Sequence, residues 1–559
     1  MRNSGITLLF IFLIILSHSA LHGKIVRVAS VQMPIEGSVQ QNLSRIKSAV
    51  MEAKQADAKV VLFPETALSG FFEEDVNNLD WEELEKAMEE ITALAREHDI
   101  YIIYGTVTRS SYDRPYNSAL VINPNGECIE TYHKTFPEGH FEPGEKLALF
   151  SIEGIPSTMI ICHDSRYPEL VRVPVMAGAR VCFYLSYEVN GMEAAVRKKD
   201  GYRAQSIARA AENNIWYIQA NGVGPFESEI VSLGNSIIVD GSGAVVAQAP
   251  ELEAKIIYAD IEVDMSQSQR STALRGEEGK LLGDWNELAL EQLLAQKNAE
   301  EFASKPKSAG DSIIRLALMQ TVPVKWDVET NFSTFLKLLD DANDADVFIT
   351  PECWLDGYAA PDKISTPDKL MEIAQDLDSS PYLKRVAEEA RKRDMYICFG
   401  FTSLENGKIY NTAGLWDKSG ELIGIYHKTH LQTHDLQFEK GEELPVWDTP
   451  WGTVGTMICA DRRWPETSRT LRLKGARLIL NPTYGMHHLA NEWWMRTRGY
   501  ENQCFIAFAH PSVGFVVGPK GELIAKRTEN PGVLICDIDI TRAKNDGHIQ
   551  DRRPDIYFR

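Results

Sequence analysis

Short runs of β-branched and apolar residues alternate along the chain with longer stretches in which apolar residues recur every three or four positions. The runs "KIVRVASVQ" (24–32), "KVVLF" (59–63), "IYIIYGTV" (100–107), "STMIIC" (157–162) and "RVCFYL" (180–185) predict strands, and residues 41–56 and 81–98 predict helices. Strands alternating with helical segments imply sheets covered by helices, an α/β class.

The pattern then starts again. "VASVQMP" (28–34) returns as "LALMQTVP" (316–323), and "LFPETALSGF" (62–71) returns as "ITPECWLDGY" (349–358). "YNSALVINPNGECIETYHKT" (116–135) returns as "YNTAGLWDKSGELIGIYHKT" (410–429). "TMIICHDSRYPE" (158–169) and "RAAENNIWYIQA" (209–220) return as "TMICADRRWPE" (456–466) and "RGYENQCFIAFA" (498–509). The order is kept, and the offset drifts only from 287 (352 − 65) to 297 (459 − 162), so a whole domain is duplicated. The copies span 24–265 and 311–559. Between them, 266–310 is a polar linker ending in "SKPKSAG", with one amphipathic helix predicted near 285–297. Its "GEEGK" (276–280) lacks the spacing of a phosphate-binding loop.

The first 23 residues break the pattern. One arginine, an apolar run from Ile6 to Leu16 and small residues near 19–23 read as a secretory signal peptide. The run is shorter than the ~20 residues that span a bilayer. A secreted or periplasmic protein, free of membrane after signal removal, is the expectation; a retained anchor is the alternative. A net charge of −21 opposes a nucleic-acid partner. The eight cysteines do not form a disulfide framework. Cys182, Cys398, Cys504 and Cys536 sit in apolar strands and read as buried thiols. The pair His487 and His488 occurs only in the second copy and has no third ligand at convincing spacing, so no metal site is expected.

Cys162 and Cys459 differ from the other cysteines because each ends its strand, before a polar turn and a Pro-Glu helix start. A thiol there meets unpaired backbone N–H groups and the positive end of a helix dipole, both of which favour thiolate. A nucleophilic thiol also needs a base and a group to steady the developing oxyanion. Glu65 and Glu352 each follow a proline at the end of a strand, and Lys134 and Lys428 each sit in "YHKT" at the end of another. One such residue alone is ordinarily a solvated strand-end charge. Recurrence in both copies is what nominates them. A papain-like "CGSCW" context and a Cys-x-x-Cys redox pair are both missing from the sequence.

The ordered set of Glu in "FPETALSG", Lys in "YHKT" and Cys in "ICHDSRYPE", repeated as "TPECWLDG", "YHKT" and "ICADRRWPE", resembles the nitrilase superfamily of carbon–nitrogen hydrolases. The resemblance covers nearly all of both copies. It implies two α-β-β-α sandwich domains, paired within the chain as a pseudo-dimer, each with a Glu–Lys–Cys triad. It also implies a second glutamate before the cysteine strand. Glu142 in "HFEPGE" and Glu439 in "QFEKGE" match, each 20 residues before its cysteine (162 − 142 and 459 − 439). The implied chemistry is hydrolysis of an amide, N-carbamoyl or nitrile bond of a small molecule through a cysteine thioester, with no metal or organic cofactor. "CADRRWPE" looks like the carbamoylase and amidase branches. The alternative is one catalytic copy beside a binding or scaffold copy, since the second lacks the segment "GVGPFESEIVSLG". Arg462 stands where the first copy has Ser165. It is either a surface arginine or a guanidinium fork for a substrate carboxylate.

Overall fold

The computed structural model describes residues 23–225, 229–264, 312–485, 490–544 and 547–557. The chain divides into two compact units, Met1–Thr272 with Asp555–Arg559, and Ala273–Pro554. The division falls inside the segment expected to be a linker. The linker helix at 285–297, the signal peptide up to residue 22, and His487 with His488 lie outside the described residues. Among the described residues, no helix is long and apolar enough to cross a membrane.

In the first unit, one six-stranded sheet runs in the order Lys255–Val263, Lys24–Gln32, Val60–Leu62, Tyr101–Thr108, Tyr116–Ile122 and Cys128–His133. The second runs Val245–Gln248, Ile237–Val239, Trp216–Asn221, Val181–Ser186, Ile155–Ile161 and Phe150–Ile152. Central strands are parallel and outer ones antiparallel. Val28, Leu62 and Ile103 of one sheet share a core with Met159, Phe183 and Ile218 of the other, so the two sheets pack face to face.

The outer faces take helices. Leu43, Ile46 and Val50 of helix Val39–Gln55 and Leu84, Ile91 and Leu94 of helix Trp81–His98 cover the first sheet. Each large apolar side chain buried this way contributes roughly 1.5–3 kcal/mol. Local sequence sets where these helices stop and start: Asp80 caps the second by accepting from the Glu82 and Glu83 N–H groups at 3.0 and 3.2 Å, and Asp99 ends it with φ of 47°. Helices Glu169–Met176 and Met192–Asn213 pack on the second sheet. The unit is an α-β-β-α sandwich.

The second unit repeats the arrangement. One sheet runs Leu422–His427, Lys408–Trp416, Tyr396–Glu405, Val347–Ile349, Ile313–Gln320 and Gly532–Asp539; the other runs Val446–Thr449, Gly452–Thr456, Leu478–Pro482, Phe505–Ala509, Gly514–Val517 and Leu523–Arg527. Cys182, Cys398 and Cys504 are buried as expected. Cys536 is only half-buried, because its strand lies at a sheet edge. One difference bears on the site. The first unit uses its extra segment to build a small sheet from Val223–Gly224, Ile230–Leu233 and Asn190–Gly191. That sheet braces the loop after Tyr187. The second unit passes directly from Phe505–Ala509 to Gly514–Val517.

Candidate active site

Glu65 leaves the Val60–Leu62 strand after Pro64 and is fully buried. Its Oε1 accepts from Lys134 Nζ at 2.7 Å and Asn117 Nδ2 at 2.8 Å, and its Oε2 accepts from the Tyr187 backbone N–H at 3.1 Å. Glu352 is held by the same three kinds of donor. Lys428 Nζ and Asn411 Nδ2 both reach Oε1 at 2.8 Å, and the Tyr484 N–H reaches Oε2 at 3.0 Å. Three donors leave each carboxylate one orientation. The turn carrying it needs room from the next strand. A Cβ on Gly105 would lie 2.3 Å from the Thr66 backbone nitrogen, and one on Gly400 the same distance from the Pro351 carbonyl oxygen.

Cys162 and Cys459 follow their strands with φ of +40° and +45°. That left-handed conformation costs a non-glycine residue about 1–3 kcal/mol. A buried aspartate two residues on holds each turn. Asp164 accepts from the Ile161 N–H at 3.1 Å, the Tyr132 hydroxyl at 2.8 Å and the Phe136 N–H at 3.0 Å. Asp461 accepts from the Ile458 N–H at 2.8 Å, the Tyr426 hydroxyl at 2.6 Å and the His430 N–H at 2.9 Å.

The family description for carbon-nitrogen hydrolases matches residues 27–271 and 315–546. The chain belongs to this family, twice over. Over 270 residues it is 31% identical to "Hydrolase in pqqF 5'region" of Pseudomonas protegens, covering 44% of this chain and 92% of that one. Over 243 residues it is 26% identical to the 2-oxoglutaramate amidase of Bacillus subtilis, covering 42% and 90%. Among solved structures, an amidase from Nesterenkonia sp. aligns with a TM-score of 0.40 and 23% identity, over 47% of this chain and 97% of that one. The protein is an enzyme of the nitrilase superfamily with its domain in tandem.

In the first unit of this carbon–nitrogen hydrolase, burial pushes the Cys162 thiol well up, Glu65 adds to the rise, and Lys134 opposes it. Desolvation and a buried carboxylate thus oppose the pull toward thiolate expected from the N–H groups of the turn. Burial also raises Glu65, with Lys134 pulling it down. Burial alone would lower the Lys134 ammonium, but Glu65, Cys162 and Glu138 more than offset that and raise it. Lys428 is raised in the same way by Asp435 and Glu352. A lysine kept charged by these acids thus shares the site with a thiol and a carboxyl that burial pushes up. Glu65→Gln removes the charge that raises the thiol and leaves Lys134 in place. The midpoint pH for iodoacetamide labelling of Cys162, followed by peptide mass mapping, should move down. An unmoved midpoint would mean that burial alone sets the thiol.

The second-glutamate expectation needs correcting. Glu142 does not touch Lys134; it accepts from Arg114 Nε at 2.9 Å. Glu439 lies 3.7 Å from Lys408 and is half-exposed. The acids on the lysines are Glu138, whose two oxygens accept from Lys134 Nζ at 2.8 and 2.9 Å, and Asp435, whose Oδ2 accepts from Lys428 Nζ at 2.5 Å. The repeat of "FEPGE" as "FEKGE" has a backbone cause. Glu142 bridges Tyr116 and Glu439 bridges Tyr410, and the glycine two residues on lies against the carbonyl of His133 or His427. Glu138 and Asp435 differ in type and in spacing from their lysines, at four (138 − 134) and seven (435 − 428), so copy-to-copy matching could not find them. The shorter Asp435 also takes the Tyr358 hydroxyl on Oδ1 at 2.6 Å, where the first unit has Phe71. Asn117, Asn411, Asp164 and Asp461 lie inside the quoted repeats; that recurrence was the signal for them.

Arg462 is fully buried. Its Nε and Nη2 donate to Asn491 Oδ1 at 3.0 and 2.5 Å, and its Nη1 lies 3.4 Å from Cys459 Sγ. Trp494 and Phe508 flank the guanidinium at 5.9 and 5.7 Å. Helix Ala490–Asn502 supplies Asn491 and Trp494. In the first unit Ser165 meets Gln205 of the helix Met192–Asn213 instead, at 3.3 Å.

Proposed function

We propose that each unit hydrolyses an amide or N-carbamoyl bond of a small molecule through a cysteine thioester. The observation that carries this reading is a glutamate held by lysine, asparagine and a backbone N–H near a strand-end cysteine, built twice. In the first unit Glu65 takes the Cys162 thiol proton as Sγ attacks the carbonyl carbon and a C–S bond forms. The Lys134 ammonium steadies the oxyanion, an effect of roughly 3–4 kcal/mol in a dry site. Glu65 passes the proton to the leaving nitrogen, the C–N bond breaks, and ammonia or an amine departs. Water then attacks the thioester and gives its proton to Glu65. The C–S bond breaks, the acid leaves, and the thiol regains its proton. Glu352, Lys428 and Cys459 play the same parts in the second unit. Similarity to proteins named as amidases supports amides over nitriles. Ammonia release from a panel of amides, N-carbamoyl amino acids and nitriles tests the reading, and no release from any of them would overturn it.

Arg462 extends the reading to specificity. Asn491 holds one edge of its guanidinium, which turns Nη1 toward the nucleophile, where a substrate carboxylate would meet it. Arg462→Ser should raise KM for N-carbamoyl amino acids about tenfold or more, from loss of a charge-assisted contact of ~1.5–3 kcal/mol, with a far smaller effect on neutral amides. Equal effects on both classes would remove Arg462 from substrate recognition.

A further inference from the structure

The two sites differ in side-chain chemistry at two positions of their walls. Tyr187 and Tyr484 do the same work for the glutamates through their backbone N–H groups, but the next residue is Glu188 in the first unit and Gly485 in the second. The other position is Ser165 against Arg462. The first wall therefore carries a carboxyl where the second has no side chain, and the second carries a guanidinium where the first has a hydroxyl.

Glu188 lines a cavity of about 130 Å³ together with Cys162 and Ser165. Its position is built. Oε1 accepts from Gln219 Nε2 and Oε2 from Asn221 Nδ2, both at 3.1 Å, and both donors stand on strand Trp216–Asn221. Asn190–Gly191, just beyond it, pairs with Ile230–Leu233 of the segment that the second unit lacks. Amide donors orient a carboxylate without neutralising it, and among the described residues Glu188 forms no ion pair. Two cations also line the cavity. Lys198 donates to Asn190 Oδ1 at 2.5 Å, and Arg166 recurs in the second unit as Arg463, so it does not distinguish the two sites. Glu138, on the same wall, is bonded to Lys134.

We propose that Glu188 selects the substrate of the first unit by its far end: a short amide carrying a primary amino group, whose ammonium donates to the Glu188 carboxylate. The inference rests on the hydrolase reading of that unit and names its substrate class. A carboxylate only accepts and an ammonium only donates, so the pair is complementary and charge-assisted. Burial pushes Glu188 up to about 8. A bound cation reverses that push and keeps the group ionised at neutral pH. The second unit, with Arg462 and no acid at this place, has the opposite preference.

The test uses the full chain with Cys459→Ala, which leaves Cys162 as the remaining strand-end nucleophile. Three probes of similar length are compared: 4-aminobutanamide, pentanamide and succinamic acid. The readouts are ammonia release and protection of Cys162 from iodoacetamide. 4-Aminobutanamide should be the best in both, and its advantage over pentanamide should fall about tenfold or more in Glu188→Gln. Glu188→Gly, the residue of the second unit, is the alternative variant with the same expected result. An advantage that survives both substitutions, or a preference for succinamic acid, overturns the role of Glu188. Charge-selective protection without turnover supports Glu188 and refutes hydrolysis at this unit. Turnover of all three without charge preference does the reverse.

Discussion

Cys162→Ala and Cys459→Ala should each remove one hydrolytic activity, by roughly four to six orders of magnitude in kcat, because each removes the nucleophile that forms the acyl bond. The effects should be separable. Among the described residues, every donor to Glu65 belongs to the first unit and every donor to Glu352 to the second, so neither nucleophile relies on the other's base. With the charges of Glu188 and Arg462 as guides, Cys162→Ala should abolish turnover of amino-substituted amides, and Cys459→Ala that of N-carbamoyl amino acids. The measurement is ammonia release from both classes by the two single variants and the double variant. A single variant that leaves every activity intact would identify its unit as a binding or scaffold domain.

Asp461→Ala should unfold or loosen the second unit, at a cost of about 3–5 kcal/mol. The substitution strands the buried Ile458 N–H, Tyr426 hydroxyl, Thr429 hydroxyl and His430 N–H, and removes the partner of His430 Nδ1 at 2.8 Å. It also removes what holds Cys459 at φ of +45°. Calorimetry of the full chain should show one transition moving down, with loss of the second unit's activity at temperatures where the first still works. A shift worth under about 1 kcal/mol would mean that the turn is held by something else.

The two clamps should also answer pH in opposite ways. Burial pushes Asp461 up, but the bonds from His430, Tyr426 and the Ile458 N–H outweigh it and hold the group below its ordinary range. Its contribution is therefore full above the unfolded value of ~3.9 and is lost as pH falls through the folded value. Asp164 is the reverse: burial raises it to about 6, with Lys134 and the Tyr132 bond opposing. Its contribution is full in acid and is lost as pH rises through about 6. Between pH 5 and 7 the first clamp should weaken as Asp164 ionises.

Much of this was legible in the chain. The duplication, the helix Trp81–His98 and the strand-end placing of Glu65, Lys134 and Cys162 follow from periodicity and recurrence, because burial on one face writes a period into the sequence. Recurrence also misled. It pointed to Glu142 and Glu439, whose repeat records a backbone bridge, and it passed over Glu138 and Asp435, whose spacing from the lysine changes between copies.

By itself the sequence determined the doubled α/β architecture and nominated the Glu, Lys and Cys of each candidate site, since these are matters of local pattern and of side-chain chemistry. Only the tertiary structure decided which acid meets each lysine and that Arg462 is buried against Cys459. It likewise decided that Glu188 shares the cavity of Cys162, and that burial pushes the Cys162 thiol up. Those outcomes turn on desolvation and on contacts between residues far apart in the chain. Such contacts leave no periodic trace, and desolvation can reverse the charge preference that a local turn would impose.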